Sequence, residues 1–435
     1  MTPDAFDSIV QLISVHTEFQ DKNPKRLGAS VEEQAAVVLY RFGRYGNGGG
    51  VVDVAYICGC AEGSVVAYTR RVVSALFSFR TQVLCWASEE EKQEARLWVA
   101  AQSQCVEFSR GWSMVDGSLI LIAFKPGKKA YHREYFDRKG QYSFNLQAIV
   151  LPTSLRIIDF VAGYKGATQD SRAFAASDVV KRPRLYLNEG DFVWTDGGYG
   201  FSDHTCGPYD HAIAAKSSDF RKFNGAVSNV RVRSEHAFGY LKGRFQSLRG
   251  FRLLIRDSQD HTLAIRAVVA TMVAHNLALR WDGREERNVF VDLSSVSEEA
   301  RIAWDTLQQP NERQDQVESD AWGRRLRSQR AKMVEDRTRQ EIMSQHGLDQ
   351  ARRQGGHALR EELHVALFRS LSLQFIDTTA ASRMKDKTSA ELEQQLAAQE
   401  ARLEQRRAAR AERGARGGRG GIRGRGGRGG QGRGV

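Results

Sequence analysis

The spacing of apolar and polar positions changes character along the chain. From Ser30, apolar residues recur at helical intervals: SVEEQAAVVLYRFGRY predicts a helix opened by a capping box, Ser30 with Glu33 three residues on. A glycine-rich break, GNGGG, follows. VVDVAYICGCAEGSVVAYTRRVVSAL then carries two short helical patterns around a tight segment near Gly59. Helical spacing turns Val51, Val54, Ala55, Val65, Val66, Thr69 and Val72 or Val73 inward. This is the size and pattern of a helix-turn-helix whose second helix presents Ser64, Ala67, Tyr68, Arg70 and Arg71. An ordinary helical hairpin supporting the next domain fits the same pattern. Ser88 to Ser103 predicts a further helix, again with a capping box, Ser88 and Glu91. Residues 1–29 carry no clear element.

After Gly111 the texture becomes strand-like. MVDGSLILIAF, YSFNLQAIVL and LRIIDFVAGY are rich in β-branched residues and separated by turn signals at Pro126-Gly127, Lys139-Gly140 and Pro152-Thr153. Their short connections predict an antiparallel meander. DSRAFAASDVV reads as a helix with Asp170 near its N-cap, and DFVWTDGGY as a fourth strand. A less regular stretch, 201–227, leads to a long helix from about Ser228 to Leu248. Strands, a helix, another strand and later helices predict a mixed α/β domain.

The expected organisation is an N-terminal segment (1–29), a helical helix-turn-helix-like domain (30–108), an α/β domain (109–284), a polar helical extension (285–388), a helix with coiled-coil character (389–412) and a tail (413–435). Leu392, Leu396 and Leu403 mark the coiled-coil fragment, which is too short to hold alone. The tail, RGARGGRGGIRGRGGRGGQGRGV, cannot bury enough surface to offset chain entropy and is expected to be disordered.

Composition changes this picture in three ways. The net charge of +12 is concentrated at the end, where residues 401–435 hold eleven arginines against two glutamates. Polyanion affinity is therefore expected mostly of the tail, through phosphate contacts and cation–π stacking on single strands or RNA. No run of apolar residues is long enough to predict a membrane span, and MTPDAFDSIV lacks the pattern of a secretory signal. The five cysteines are scattered, and the Cys58/Cys60 pair has no matching ligands for zinc, so reduced thiols in a cytosolic or nuclear protein are expected.

Three carboxylates stand out by context. Asp116 lies inside the first strand, Asp196 ends the fourth, and Glu235 sits early on the long helix. Phe238, Leu241, Phe245 and Leu248 mark that helix's buried stripe, so Glu235 is expected to point along its edge toward the sheet. A carboxylate among apolar residues is costly unless paired or bound to metal. Each acid could be satisfied by a local arginine or amide. Alternatively the three could converge on two divalent cations, Mg²⁺ or Mn²⁺, for which hard oxygen ligands are suited. Arg231, Arg233, Lys242 and Arg244 lie on or beside the same helix and are candidates for phosphate contact or for a solvated face. The glycines after Asp196 are expected to let the chain turn away from a phosphodiester without crowding it.

These residues resemble DDE transposases of the PIF/Harbinger type, especially the fungal nuclease-like members, over about residues 30–280. YRFGRYGNGG with the following helices looks like the family's DNA-binding region. GWSMVDGSLILIAFKPG resembles the first aspartate segment, VWTDGGYG the second, and NVRVRSEHAFGYLKGRFQSLRG the glutamate segment. ATMVAHNLAL, with His275-Asn276, is similar to the closing helix, and Asp170 occupies a family-typical supporting position. Departures are Gln169, where a histidine is common, and Gly200. The resemblance implies a ribonuclease H-like catalytic core, a metal site of Asp116, Asp196 and Glu235 holding two ions, and cleavage and joining of transposon DNA in the nucleus. It also implies assembly of copies on DNA and a separate Myb-like partner protein. The alternative is a domesticated or decayed copy that binds nucleic acid without turnover.

Overall fold

The chain opens with a helix that the apolar pattern did not announce. In this computed structural model, which describes residues 1–20, 28–283 and 345–375, α1 spans Pro3–Ser14. Thr2 Oγ1 accepts from the Ala5 amide at 3.3 Å, and Pro3 occupies the first turn, where a missing N–H costs nothing. Its Ile9, Val10 and Ile13 are buried. α2 (Val31–Phe42) has the predicted capping box, with Ser30 and Glu33 exchanging side-chain-to-amide bonds. α3 (Val51–Cys58) and α4 (Glu62–Ser78) meet at 98°. Gly59 makes the corner at φ +65°, a left-handed conformation cheap only for glycine.

The inward face of this pair follows the periodicity, with one exception. Val54, Ala55, Val65, Thr69, Val72 and Val73 are buried, whereas Val66 is 38% exposed because it lies one step off the stripe. Val51 is half-buried. α5 (Arg80–Val83) is a single turn, and α6 (Glu89–Ser103) begins on the predicted Ser88–Glu91 capping box.

The sheet has five strands in the order β3-β2-β1-β4-β5. β1 (Ser113–Leu121), β2 (Ser143–Val150) and β3 (Ile157–Lys165) form the expected antiparallel meander. The predicted helix after β3 splits into α7 (Asp170–Phe174) and α8 (Asp178–Lys181), since Ser177 caps a new turn. Gln169, not Asp170, is the N-cap of α7. β4 is only Val193–Trp194 and pairs parallel with β1; β5 (Thr205–Cys206) pairs parallel with β4 inside the stretch read as irregular.

α9 (His211–Ala214) precedes α10, which spans Ser218–Arg244 and so begins ten residues before the predicted start. α11 (Ser258–Ala278) and α12 (Gln345–Ser370) complete the described elements.

Alternation along the strands assigns the two faces of the sheet. Met114, Ile120, Phe144, Leu146, Ala148 and Trp194 join one cluster with α10 and α11, while Val115, Ile149 and Val193 join another with Trp112 and Phe174. The first cluster also takes in Ile9, Ile13, Val38, Val72 and Leu76. One hydrophobic core thus runs across the expected boundary between residues 108 and 109, and the described residues all fall within a single unit, Met1–Ile376. Asn276 joins its parts: its amide accepts from Ile157 N at 3.1 Å and donates to Ile157 O and Val83 O.

α12 comes from the stretch that sequence left without a role. It packs along β5, the edge strand, and so covers an edge that would otherwise expose unpaired backbone groups. Gly356 permits this approach, since a Cβ there would sit 2.5 Å from Ser202 N. Arg360 donates to Pro208 O at 3.3 Å and stacks on Tyr209, and Arg110 pairs with Glu362 at 2.7 Å. The remainder of 285–388, the coiled-coil fragment and the Arg/Gly tail lie outside the described residues.

Candidate active site

Register brings the two aspartates together. In the parallel pair, Ser113 faces Val193 and Met114 faces Trp194. Asp116 and Asp196 therefore stand two residues beyond the same paired position, on neighbouring strands about 5 Å apart. Two residues on from Met114 and Trp194, both fall on the face packed by α10. Each aspartate precedes a glycine whose amide bonds back to it: Gly117 N to Asp116 Oδ1 at 2.8 Å, and Gly197 N to Asp196 Oδ1 at 2.6 Å. That shared Asp-Gly step was readable in the sequence.

α10 supplies the third side of the site. Ser234 Oγ reaches Asp116 Oδ2 at 3.3 Å, and its neighbour Glu235 is the one residue between Val230 and Leu241 that is not buried. Phe238, Leu241, Phe245 and Leu248 are buried as the stripe predicted, so Glu235 emerges at its edge beside the sheet. Arg231 Nη1 lies 3.8 Å from Asp196 Oδ1, with the guanidinium buried and the carboxylate 57% exposed.

These charges act on one another. The Asp116 carboxyl, partly open to solvent but enclosed on most sides, is pushed up to about 6. Desolvation is the largest cause; Arg231 and the Gly117 amide pull it down, and Glu235 and Asp196 raise it further. Three acids and one arginine thus share a local field. Among the described residues no three His, Cys, Asp or Glu side chains stand close enough to grip a cation as they are.

The structure sorts the other predicted site residues. Arg233 is buried and donates to Pro152 O at 2.6 Å and Thr153 O at 3.3 Å, which clamps the β2–β3 turn. Arg244 is buried too, donating to His275 O at 3.1 Å and paired with Asp282, which also accepts from Tyr240. Lys242 Nζ donates to Leu119 O on β1 at 3.0 Å. Arg70 is exposed and Arg71 half-buried on α4, away from the carboxylates in sequence and element, while Tyr68 is half-buried against both neighbouring cores. Buried cations on α10 face inward because that stretch of helix is enclosed nearly all round, which apolar spacing alone did not reveal.

Asp170 lies across the sheet from Asp116. Its carboxylate accepts from Asn145 Nδ2 at 2.8 Å and Gln147 Nε2 at 2.9 Å, both on the opposite face of β2. Gly117 makes room for this network, since a Cβ would meet Gln147 at 2.5 Å and Asp170 at 2.7 Å. Gln147 in turn accepts from the Tyr199 hydroxyl, and Tyr199 N closes the turn onto Asp196 O at 3.1 Å. Burial, with Asp116 and Asp170 nearby, raises the Tyr199 phenol well above its usual range, so it stays a donor. Neither Gly197 nor Gly198 adopts a left-handed φ, and an added Cβ would meet nothing close. Asp196 is thus held by Tyr199 and Gln147, not by a conformation only glycine can reach. Ser234, Asn145, Gln147 and Tyr199 were not among the expected site residues; for Asn145 and Gln147 the available signal was a polar residue in the otherwise apolar β2 run.

A mixed α/β sheet carrying two register-matched aspartates, with a glutamate on the helix against them, has the form of a nuclease-like core. Residues 115–276 match the family model described as DDE superfamily endonuclease, a span that holds Asp116, Asp196 and Glu235 and ends on Asn276. The match supports the DDE transposase superfamily and nuclease activity for this part of the chain. No curated protein and no solved structure matches the chain. Among the described residues no single helix is long and apolar enough to cross a membrane.

Proposed function

We propose that this protein is a metal-dependent endonuclease of transposase type, close to the PIF/Harbinger group, that hydrolyses phosphodiesters at transposon ends and joins them to target DNA. The observation that carries this reading is the register of Asp116 and Asp196, two residues beyond Met114 and Trp194 on adjacent parallel strands, with Ser234–Glu235 set against them. The strand order, three antiparallel strands followed by two parallel to the first, supports a ribonuclease H-like core.

The donor set suits Mg²⁺ or Mn²⁺: three hard carboxylates, one of them raised first by desolvation and then further by the charges of the other two, form a site that positive charge would relieve. Asp116 and Asp196 would hold two ions and Glu235 would complete the shell of one. Two divalent ions supply, when bound, an activated water or hydroxyl and stabilisation of the leaving oxygen. The chain's own contribution is placement. The Gly117 and Gly197 amides orient the two aspartates, Ser234 holds Asp116 against α10, and Tyr199 fixes the turn. Arg231, beside Asp196 at 3.8 Å, would be the helix cation that meets a phosphate.

The 98° crossing of α3 and α4 supports a helix-turn-helix reading, with Arg70 and Arg71 toward duplex DNA. A nuclear setting, assembly on DNA, a Myb-like partner and nucleic-acid binding by the Arg/Gly tail belong to the same reading. The test is Mg²⁺-dependent nicking of DNA bearing the element's terminal repeats. Wild type nicks and Asp196→Asn does not; equal activity in both sinks the assignment.

A further inference from the structure

The loop joining β1 to β2 has a surface chemistry that the carboxylate site does not use. Between Lys125 and Gln141 it carries six lysines and arginines against two carboxylates. Neither acid neutralises Lys128 or Lys129: Asp137 is buried, accepting from Lys139 N, Gln141 N and Ser143 Oγ, and Glu134 pairs with Lys165 at 2.5 Å. All six cations are exposed. Two exposed aromatic rings, Tyr131 at 69% and Phe136 at 51%, are interleaved with them, and Phe124, 37% exposed, precedes the first.

This loop is built. Tyr135 is fully buried, with its hydroxyl 2.7 Å from His261 Nδ1, and Gly127 N donates to Ile255 O at 2.7 Å. Tyr131 is held at φ +58°, ψ +55°, costly for any residue with a Cβ, yet its ring points out to solvent with the Lys165 ammonium 5.3 Å from its centroid. Arg252 lies over Phe124 at 5.0 Å. Contacts link the loop to the opposite face of the strands that carry the site: Arg138 reaches Asp170 at 3.7 Å, and Asp170 bonds Gln147, which pairs with Gly117, the residue after Asp116.

We propose that this loop is a binding site for single-stranded nucleic acid, Lys128 and Lys129 meeting phosphates while Tyr131 stacks on an unpaired base. Exposed rings between cations are the chemistry that unpaired strands need; a duplex hides its base faces and needs only the charges. The ligand class, an unpaired strand beside a nuclease site, rests on the proposed endonuclease reading.

The experiment is fluorescence anisotropy on the full chain with a labelled oligothymidylate and a labelled duplex in EDTA, so the Arg/Gly tail is common to all variants. Lys128→Glu/Lys129→Glu is expected to weaken oligothymidylate binding about tenfold and to flatten its salt slope by about 1.4. Tyr131→Ala is expected to weaken it roughly fivefold or more with the slope unchanged, and Tyr131→Phe to restore it. Unchanged thermal unfolding of each variant shows that the loss is local. Unaltered oligothymidylate affinity in both the charge and the Tyr131→Ala variants overturns the proposal, as does a loss confined to duplex. If these losses occur while wild type fails to nick DNA, the loop stands and the endonuclease reading fails. If wild type nicks and the losses do not occur, the loop alone fails.

Discussion

Asp116→Asn separates the cost of the site from its use. In the folded chain the Asp116 carboxyl is pushed up to about 6 from 3.8, first by desolvation and then by Glu235 and Asp196. A folded pKa above the unfolded one means that the protonated form is the stabilised one. That stability is fully present below pH 3.8 and is lost as pH rises through about 6. At pH 8 the ionised carboxylate therefore works against folding, by up to about 3 kcal/mol at roughly 1.4 kcal/mol per unit. Asparagine keeps the shape, and its carbonyl can still accept from the Gly117 amide, without the charge. The expected outcome is a variant that melts roughly 3–5 °C higher than wild type at pH 8, with the gain vanishing near pH 4, and that no longer nicks DNA. Added Mn²⁺ should raise the wild-type melting temperature, by about 2.7 kcal/mol of stability at a hundredfold excess over Kd, and leave the variant unmoved. Differential scanning calorimetry across pH, with and without Mn²⁺, reads all of this. An asparagine variant that is no more stable than wild type at pH 8, or equally shifted at pH 4 and 8, refutes the electrostatic account of the site.

Two further outcomes follow from buried contacts. Asp191→Ala removes the carboxylate that Arg96 grips through both oxygens, at 3.0 and 2.8 Å, and to which Trp112 Nε1 donates at 3.0 Å; urea unfolding is expected to show a loss of about 3–5 kcal/mol, because a buried guanidinium and a buried indole N–H both lose this carboxylate. Loss of under 1 kcal/mol would mean that the pair does not anchor β4. Tyr199→Phe leaves Gln147 Oε1 without its donor, so a stability loss of about 1–3 kcal/mol is expected, together with slower nicking at unchanged DNA affinity, measured by single-turnover cleavage beside anisotropy. Cleavage at the wild-type rate would show that the Tyr199–Gln147 bond does not position Asp196.

What the sequence determined by itself was local. Ser30–Glu33 and Ser88–Glu91 announce helix starts because a capping box is closed by residues three apart. The meander was legible because β-branched runs joined by short turns have little choice but to pair antiparallel. Asp116, Asp196 and Glu235 could be named from their places at a strand, a strand end and a helix edge, aided by family resemblance. Even α1 had its signal, Thr2-Pro3, a cap followed by a first-turn proline.

The tertiary structure decided what depends on partners distant along the chain. β5 is two residues long, too short to carry a periodicity, and exists as a strand because β4, itself paired with β1, offers it an edge. Nothing local distinguishes Arg231, which reaches Asp196, from Arg233 and Arg244, which turn into the protein; packing on every side of α10 makes that choice. The hold on Asp196 passes through Tyr199 to Gln147, which is fifty-two residues from Tyr199, and α12 braces the following loop from residues 345–370. A periodic pattern records which face of an element is buried. Which charge meets which across the sheet is set only when strand register and helix packing bring them within reach.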